Sequence, residues 1–268
     1  MGKILFTDLD GTLLNDRKEI TPGNRTAMDR ALARGGRIVL TTGRPLASGI
    51  KQSKRLDLDG PGCYLIAFNG GVIYDCGERC ILYAKTLPIA LALELIRLCD
   101  PLELHVQTYN GDFVLVEPKN DDEALRSYCQ RLQIDRRVVS SFEAELREEP
   151  PKVLAIAPRE RLERLYKVLE RNYNHQVDFF YSSETLLEIV PTGVSKGSAV
   201  KWTCETLGVP LSDAIAVGDE ENDLSMIQAA GIGVAMANGI EKLKQAADYV
   251  TLRDNNHDGI AEILEKFM

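Results

Sequence analysis

Residues 4–12 read Ile4-Leu5-Phe6-Thr7-Asp8-Leu9-Asp10-Gly11-Thr12. The run Ile4-Leu5-Phe6 is short, apolar and β-favouring, so it reads as a buried strand. Two carboxylates follow, two residues apart, at the carboxyl end of that strand. If strand geometry persists to Asp10, both side chains point to the same side. Like charges held that close repel each other. A protein tolerates them when a cation neutralises them or when one is protonated. Gly11-Thr12 then lets the backbone turn sharply. The stretch predicts a metal-assisted acid or nucleophile site at the edge of a sheet.

Working outward, Thr21-Pro22 reads as an N-cap and a first helical residue. Ala27, Met28, Ala31 and Leu32 recur at helical spacing, and Gly35-Gly36 stops the helix. Arg37 to Thr41 is the next strand, ending at Thr42-Gly43-Arg44-Pro45. This β-α-β order predicts a parallel sheet with crossover helices. Tyr64 to Phe68 makes a third strand, and Asn69-Gly70-Gly71 turns it into a hairpin-like pair. From about Lys85 hairpins alternate with helices, including an Asn110-Gly111 hairpin signal. The charged stretch Glu143 to Glu149 reads as a solvated segment. Parallel order resumes after Pro191-Thr192-Gly193, with Ala214 to Val217 as a buried strand ending at Gly218-Asp219. The expected fold is α/β: a Rossmann-like parallel sheet with helices on both faces and an inserted α+β domain. The expected boundaries are 1–83 and 190–268 for the discontinuous core and 84–189 for the insertion.

Composition narrows the function classes. A net charge of −8 over 268 residues argues against a general binder of nucleic acid or anionic membrane. No apolar run approaches the roughly 20 residues that a membrane helix needs. The N-terminus enters a strand at once, without a signal-peptide pattern, and a cytoplasmic location is expected. The six cysteines are scattered with no CxxC, so they read as small apolar residues rather than as a disulfide or metal framework.

In an open parallel sheet, sites form beyond the carboxyl ends of the strands. Those ends carry Asp8 and Asp10, then Thr42-Gly43-Arg44, then Asn69, then Asp219. The helix opening at Gly193-Val194-Ser195-Lys196-Gly197 adds a lysine near a helix N-terminus. Gly218-Asp219-Glu220-Glu221-Asn222-Asp223 is a second metal candidate, in which Asp223 either ligates or holds Lys196. Carboxylates suit Mg²⁺, whereas Thr42, Lys196 and helix-end amides suit phosphate oxygens. No GxxxxGK[ST] is present, which argues against an ordinary nucleoside-triphosphate fold.

These residues resemble the haloacid dehalogenase superfamily, specifically its Cof-like phosphatases. Four motifs occur in order: FTDLDGT, the VLTTGR strand end, the lysine of GVSKGSAV, and GDEENDLSM. FNGGVIYD and the inserted α/β cap fit the same subfamily, and the likeness spans essentially the whole chain. Glu220-Glu221 departs from relatives that carry a glycine first, and these side chains are expected to face solvent. The resemblance implies an aspartyl-phosphate mechanism. Asp8 is then the nucleophile and Asp10 the general acid and base, with Thr42 and Lys196 on the phosphoryl oxygens. The Asp8 carboxylate, the Asp10 carbonyl and the Asp219 carboxylate are then the Mg²⁺ ligands, supported by Asp223. Leu9, Gly43, Arg44, Asn69 and Asn222 are candidates for substrate contact.

The implied activity is hydrolysis of small phosphorylated metabolites, with sugar phosphates the default, by a monomer or weak oligomer. A phosphomutase or specialised sugar-phosphate phosphatase of the same fold is the alternative. A non-enzymatic regulatory module is a third reading, against which the intact acid pair, Lys196 and Asp219 weigh.

Overall fold

The computed structural model describes residues 2–268. The chain opens with β1 (Ile4–Thr7), α1 (Pro22–Ala33), β2 (Arg37–Thr41), α2 (Leu46–Arg55), β3 (Cys63–Ala67) and the hairpin β4 (Val72–Asp75) and β5 (Cys80–Ala84). It continues through α3 (Ile89–Arg97), β6 (His105–Asn110), β7 (Phe113–Val116), α4 (Glu123–Leu132), β8 (Asp135–Val138) and α5 (Phe142–Glu145). Next come β9 (Val153–Ile156), α6 (Arg159–Asn172), β10 (Val177–Ser183) and β11 (Leu186–Pro191). The last part is α7 (Lys196–Thr206), β12 (Ala214–Gly218), α8 (Leu224–Ala229), β13 (Ile232–Ala235), α9 (Glu241–Ala246), β14 (Tyr249–Val250) and α10 (Gly259–Phe267).

Two compact units result. One holds the residues up to Gly43 together with Gly49–Tyr83 and Ser195–Met268, and the other holds Arg44–Ser48 and Ala84–Val194. The expected return to the core at 190 falls inside β11, which runs on to Pro191; the first unit resumes at Ser195.

The first unit is an α/β sheet in the order β14-β13-β12-β1-β2-β3-β4-β5. The pairs from β14 to β3 are parallel, and β4 runs antiparallel to β3. β1 is buried at all four positions because it lies between β12 and β2. Strand alternation sends Ile4 and Phe6 to one face. There they pack with Val39, Ile66 and Ala216 against Ala199 and Val200 of α7 and Met226 and Ile227 of α8. α1 and α10 pack on each other. Thr21 is the residue before α1, but its hydroxyl makes no cap; it donates to Asp258 Oδ1 at 2.5 Å.

The second unit is a six-stranded sheet in the order β10-β11-β9-β6-β7-β8. Val106, Val153, Ala155 and Ile189 from its strands pack with Leu95 of α3 and Leu162 and Leu165 of α6. β7 and β8 pair in parallel, the one departure from the antiparallel layer expected here. The expected hairpin forms, with β6 running on through Tyr109 and Asn110; Asn110 pairs with Phe113, so the two-residue loop is Gly111-Asp112. Gly111 has φ 54°, in the left-handed region that glycine adopts without strain. Within the stretch expected to be solvated, Glu143 to Glu149, only Leu146 is buried; it joins the apolar cluster together with Phe142, the first residue of α5.

Candidate active site

The site of the first unit is built at the carboxyl end of β1. The Asp8 amide donates to Val217 O at 3.1 Å, which carries the β1–β12 ladder one residue past the strand. The chain then folds back, with Leu13 N on Asp8 O at 3.3 Å and Leu14 N on Leu9 O at 2.8 Å. Gly11 sits at φ 85° against the Asp219 carboxylate, where a Cβ would lie 2.3 Å from Asp219 Oδ2. Glycine is required there by conformation and by space. Thr12 Oγ1 donates to Asp219 Oδ1 at 2.5 Å, tying the first loop to the one after β12.

Lys196 occupies the centre. Its side chain is fully buried, and Nζ donates to Asp8 Oδ1 at 2.5 Å and to Asp223 Oδ1 at 2.6 Å. The other Asp223 oxygen accepts the backbone N–H groups of Asp219 at 2.9 Å and Glu220 at 3.0 Å. Both oxygens of Asp223 are thus engaged in orienting its neighbours. Ser195 caps α7 by accepting from Ser198 N, so Lys196 is the first helical residue. A lysine there opposes the helix dipole, and the two carboxylates offset that cost.

A family model of haloacid dehalogenase-like hydrolases matches residues 5–264. The chain belongs to that family. A Bacteroides thetaiotaomicron haloacid dehalogenase-like hydrolase of known structure superposes at a TM-score of 0.90, with 31% identity and full coverage of both chains. Putative phosphatase YxeH of Bacillus subtilis is 30% identical over 270 residues, covering 100% of this chain and 99% of that protein. Pyridoxal phosphate phosphatase YbhA of Escherichia coli is 29% identical over 270 residues, covering 98% of this chain and 97% of that protein. This member of the haloacid dehalogenase-like family is a phosphatase, a phosphoric monoester hydrolase.

Asp8, Asp219 and Asp223 each offer a carboxylate oxygen, and these atoms all lie within 4.8 Å of one another. One ammonium faces three carboxylates. Burial pushes the Asp8 carboxyl well above its usual range, with Lys196 opposing and Asp223 and Asp219 adding to the rise. Burial also pushes Asp219 up to about 7, against the Thr12 hydrogen bond and Lys196. Burial works against the Lys196 charge, but Asp223 and Asp8 outweigh it and keep the ammonium above its ordinary value. Asp8 Oδ2 and Asp219 Oδ2 accept no hydrogen bond from another described residue. Two oxygens without partners in an under-compensated carboxylate group fit a hard divalent cation.

The other candidates fall in several places. β1 ends at Thr7, so Asp8 and Asp10 do not share a strand face. Asp8 turns to Lys196, whereas the partly exposed Asp10 accepts from Lys18 Nζ at 2.9 Å. Leu9 is wholly buried, so its side chain is closed to a ligand and only its backbone can meet one. Thr42 is buried; its amide donates to Ile66 O at 2.8 Å and its carbonyl accepts from Asn69 N at 3.0 Å. Asn69 has φ 55° and accepts from Asn222 Nδ2 at 3.2 Å. A Cβ on Gly43 would lie 2.9 Å from Asn69 Nδ2, so these three residues form one packed corner. Asn222 and Asp223 lie in a 3₁₀ turn, Glu221–Asp223, that precedes α8. Arg44 is buried and groups with the second unit. Glu220 and Glu221 are exposed, and Glu221 pairs with Lys242 at 2.5 Å.

Sequence reasoning assigned no role to Thr12, Lys18 or Asn238. Thr12 had a signal, since it closes the pentapeptide. Asn238 Nδ2 donates to Gly11 O at 2.7 Å across 227 positions of sequence, which no local pattern announces. All six cysteines are free thiols, and no helix among the described residues is long and apolar enough to cross a membrane.

Proposed function

We propose that this phosphatase hydrolyses small phosphorylated metabolites, sugar phosphates among them, through a phosphoryl group carried on Asp8. The observation that carries the reading is the buried Asp8 carboxylate held by Lys196 in a group of three acids. Asp8 attacks phosphorus: the Asp8 O–P bond forms, the bond to the leaving oxygen breaks, and Asp10 gives its proton to that oxygen. Asp10 then takes a proton from water as the water oxygen bonds to phosphorus, and the Asp8 O–P bond breaks. Lys196 offsets the charge of Asp8 and of the incoming phosphate, and Thr42 binds a phosphoryl oxygen. Asp8, Asp219 and the Asp10 carbonyl would hold Mg²⁺, oriented through Asp223. That cation would supply charge compensation for the phosphoryl oxygens. Gly43, Arg44, Asn69 and Asn222 are proposed contacts for the phosphate or the leaving group, and Leu9 contributes only its backbone. The inserted unit is proposed as the cap that carries leaving-group preference. The substrates named for relatives, such as pyridoxal phosphate for YbhA, support a small phosphorylated metabolite.

The test is a panel of phosphorylated metabolites assayed for inorganic phosphate with and without MgCl₂. Cation-dependent phosphate release that Asp8→Asn abolishes supports the reading. Isomerised sugar phosphates without free phosphate would point to a mutase instead.

A further inference from the structure

We propose that Lys18 is a positioning residue that holds the Asp10 carboxyl in line for proton transfer to the leaving group. The inference rests on the role proposed above for Asp10. Lys18 Nζ donates to Asp10 Oδ1 at 2.9 Å, eight positions along the chain. An exposed ion pair alone would mean little. The backbone beneath it means more.

Lys18 has φ 62°, a left-handed conformation that glycine adopts freely and lysine adopts against strain. The short loop around it is tied down to keep it there. Asn15 N donates to Glu19 O at 2.9 Å, and Lys18 N donates to Asn15 O at 2.8 Å. The Asn15 side-chain oxygen accepts Arg17 N at 2.9 Å and Glu19 N at 3.0 Å. From α2, Arg55 Nη2 donates to Lys18 O at 2.6 Å, and Arg55 Nε is itself fixed on Gln52 Oε1 at 2.7 Å. The side chain is what the strained backbone delivers, and it delivers an ammonium to Asp10. Asp10 lies on a loop with a partly exposed side chain, and the hydrogen bond from Lys18 on Oδ1 limits the orientations its carboxyl can take.

The test uses Lys18→Gly, Lys18→Ala and Lys18→Arg on two esters. Glycerol 3-phosphate has an alkoxide leaving group that needs a proton; p-nitrophenyl phosphate releases p-nitrophenolate, which leaves without one. Lys18→Ala and Lys18→Gly should lose about tenfold or more in kcat on the alkyl ester, a fraction of what general acid catalysis contributes. They should lose less than about threefold on the aryl ester, with KM for both changed less than about threefold. Lys18→Arg should recover most of the alkyl-ester rate. Lys18→Gly, which relieves the strain, should melt no lower than wild type, so its selective loss cannot be a folding defect. Equal losses on both esters, or no loss on either, would overturn the proposal while leaving the phosphatase reading intact. A wild-type protein that turns over neither ester overturns both.

Discussion

Replacing Lys196 with methionine keeps most of the side-chain volume and removes the one ammonium among Asp8, Asp219 and Asp223. The loss can be sized from the geometry. Nζ lies 2.5 Å from Asp8 and 2.6 Å from Asp223, with the lysine and Asp223 side chains fully buried. At an effective dielectric near 20, unit charges at that separation attract by about 6 kcal/mol per pair before desolvation. Breaking a buried pair by removing one partner costs about 3–5 kcal/mol net, because the remaining charges are left uncompensated. The assay is urea unfolding of wild type and Lys196→Met at pH 5 and pH 8, without divalent cation. The expected loss at pH 8 is in that range. It should be smaller at pH 5, where raised carboxyl values let the acids take up protons instead. A loss below about 1 kcal/mol at pH 8 is the value of an exposed pair and would refute the reasoning. So would equal losses at the two pH values.

Three further outcomes are expected. Gly11→Ala should lower stability by about 1–3 kcal/mol from its left-handed backbone alone, and should reduce phosphatase activity further because a Cβ meets Asp219 at 2.3 Å. Ordinary thermal stability with full activity would contradict this. Asp219, raised from 3.8 to about 7, gives a stability contribution present below the lower value and lost as pH rises through the higher one. The size is on the order of 4 kcal/mol, at about 1.4 kcal/mol per unit. Saturating MgCl₂ should flatten that fall, and urea midpoints at pH 5 and 8 that respond identically with and without MgCl₂ would count against it. In the second unit, Lys152 and Glu188 form a buried pair at 2.9 Å. Lys152→Met should destabilise by about 3–5 kcal/mol, and the double change to Lys152→Met with Glu188→Met should recover much of that loss.

The legible parts of this chain are those where burial and chemistry agree. β1, β2 and β12 are continuous apolar runs because parallel strands in the middle of a sheet are buried on both faces. Their ends carry Asp8, Thr42 and Asp219 in the sequence as plainly as in the fold. α2 had no such signal: Leu46–Arg55 is broken by Gly49, needed because a Cβ there would lie 2.7 Å from the Leu65 side chain. β8 was hidden for the opposite reason. Asp135-Arg136-Arg137-Val138 is an exposed edge strand, and charge on such a strand guards against pairing with other chains while masking its period. The candidate residues were readable, but not their division of partners. Asp8 and Asp10 look alike in the sequence; only the fold sends one to Lys196 and the other to Lys18.

The central claim is that Asp8 carries the phosphoryl group. The direct measurement is a rapid acid quench of the enzyme during turnover of p-nitrophenyl phosphate with MgCl₂, followed by mass spectrometry of the peptide around residues 4–12. The account predicts a phosphoryl adduct on Asp8 and none in Asp8→Asn, which should also release no inorganic phosphate. An adduct on another residue, or Asp8→Asn turning over like wild type, would contradict it.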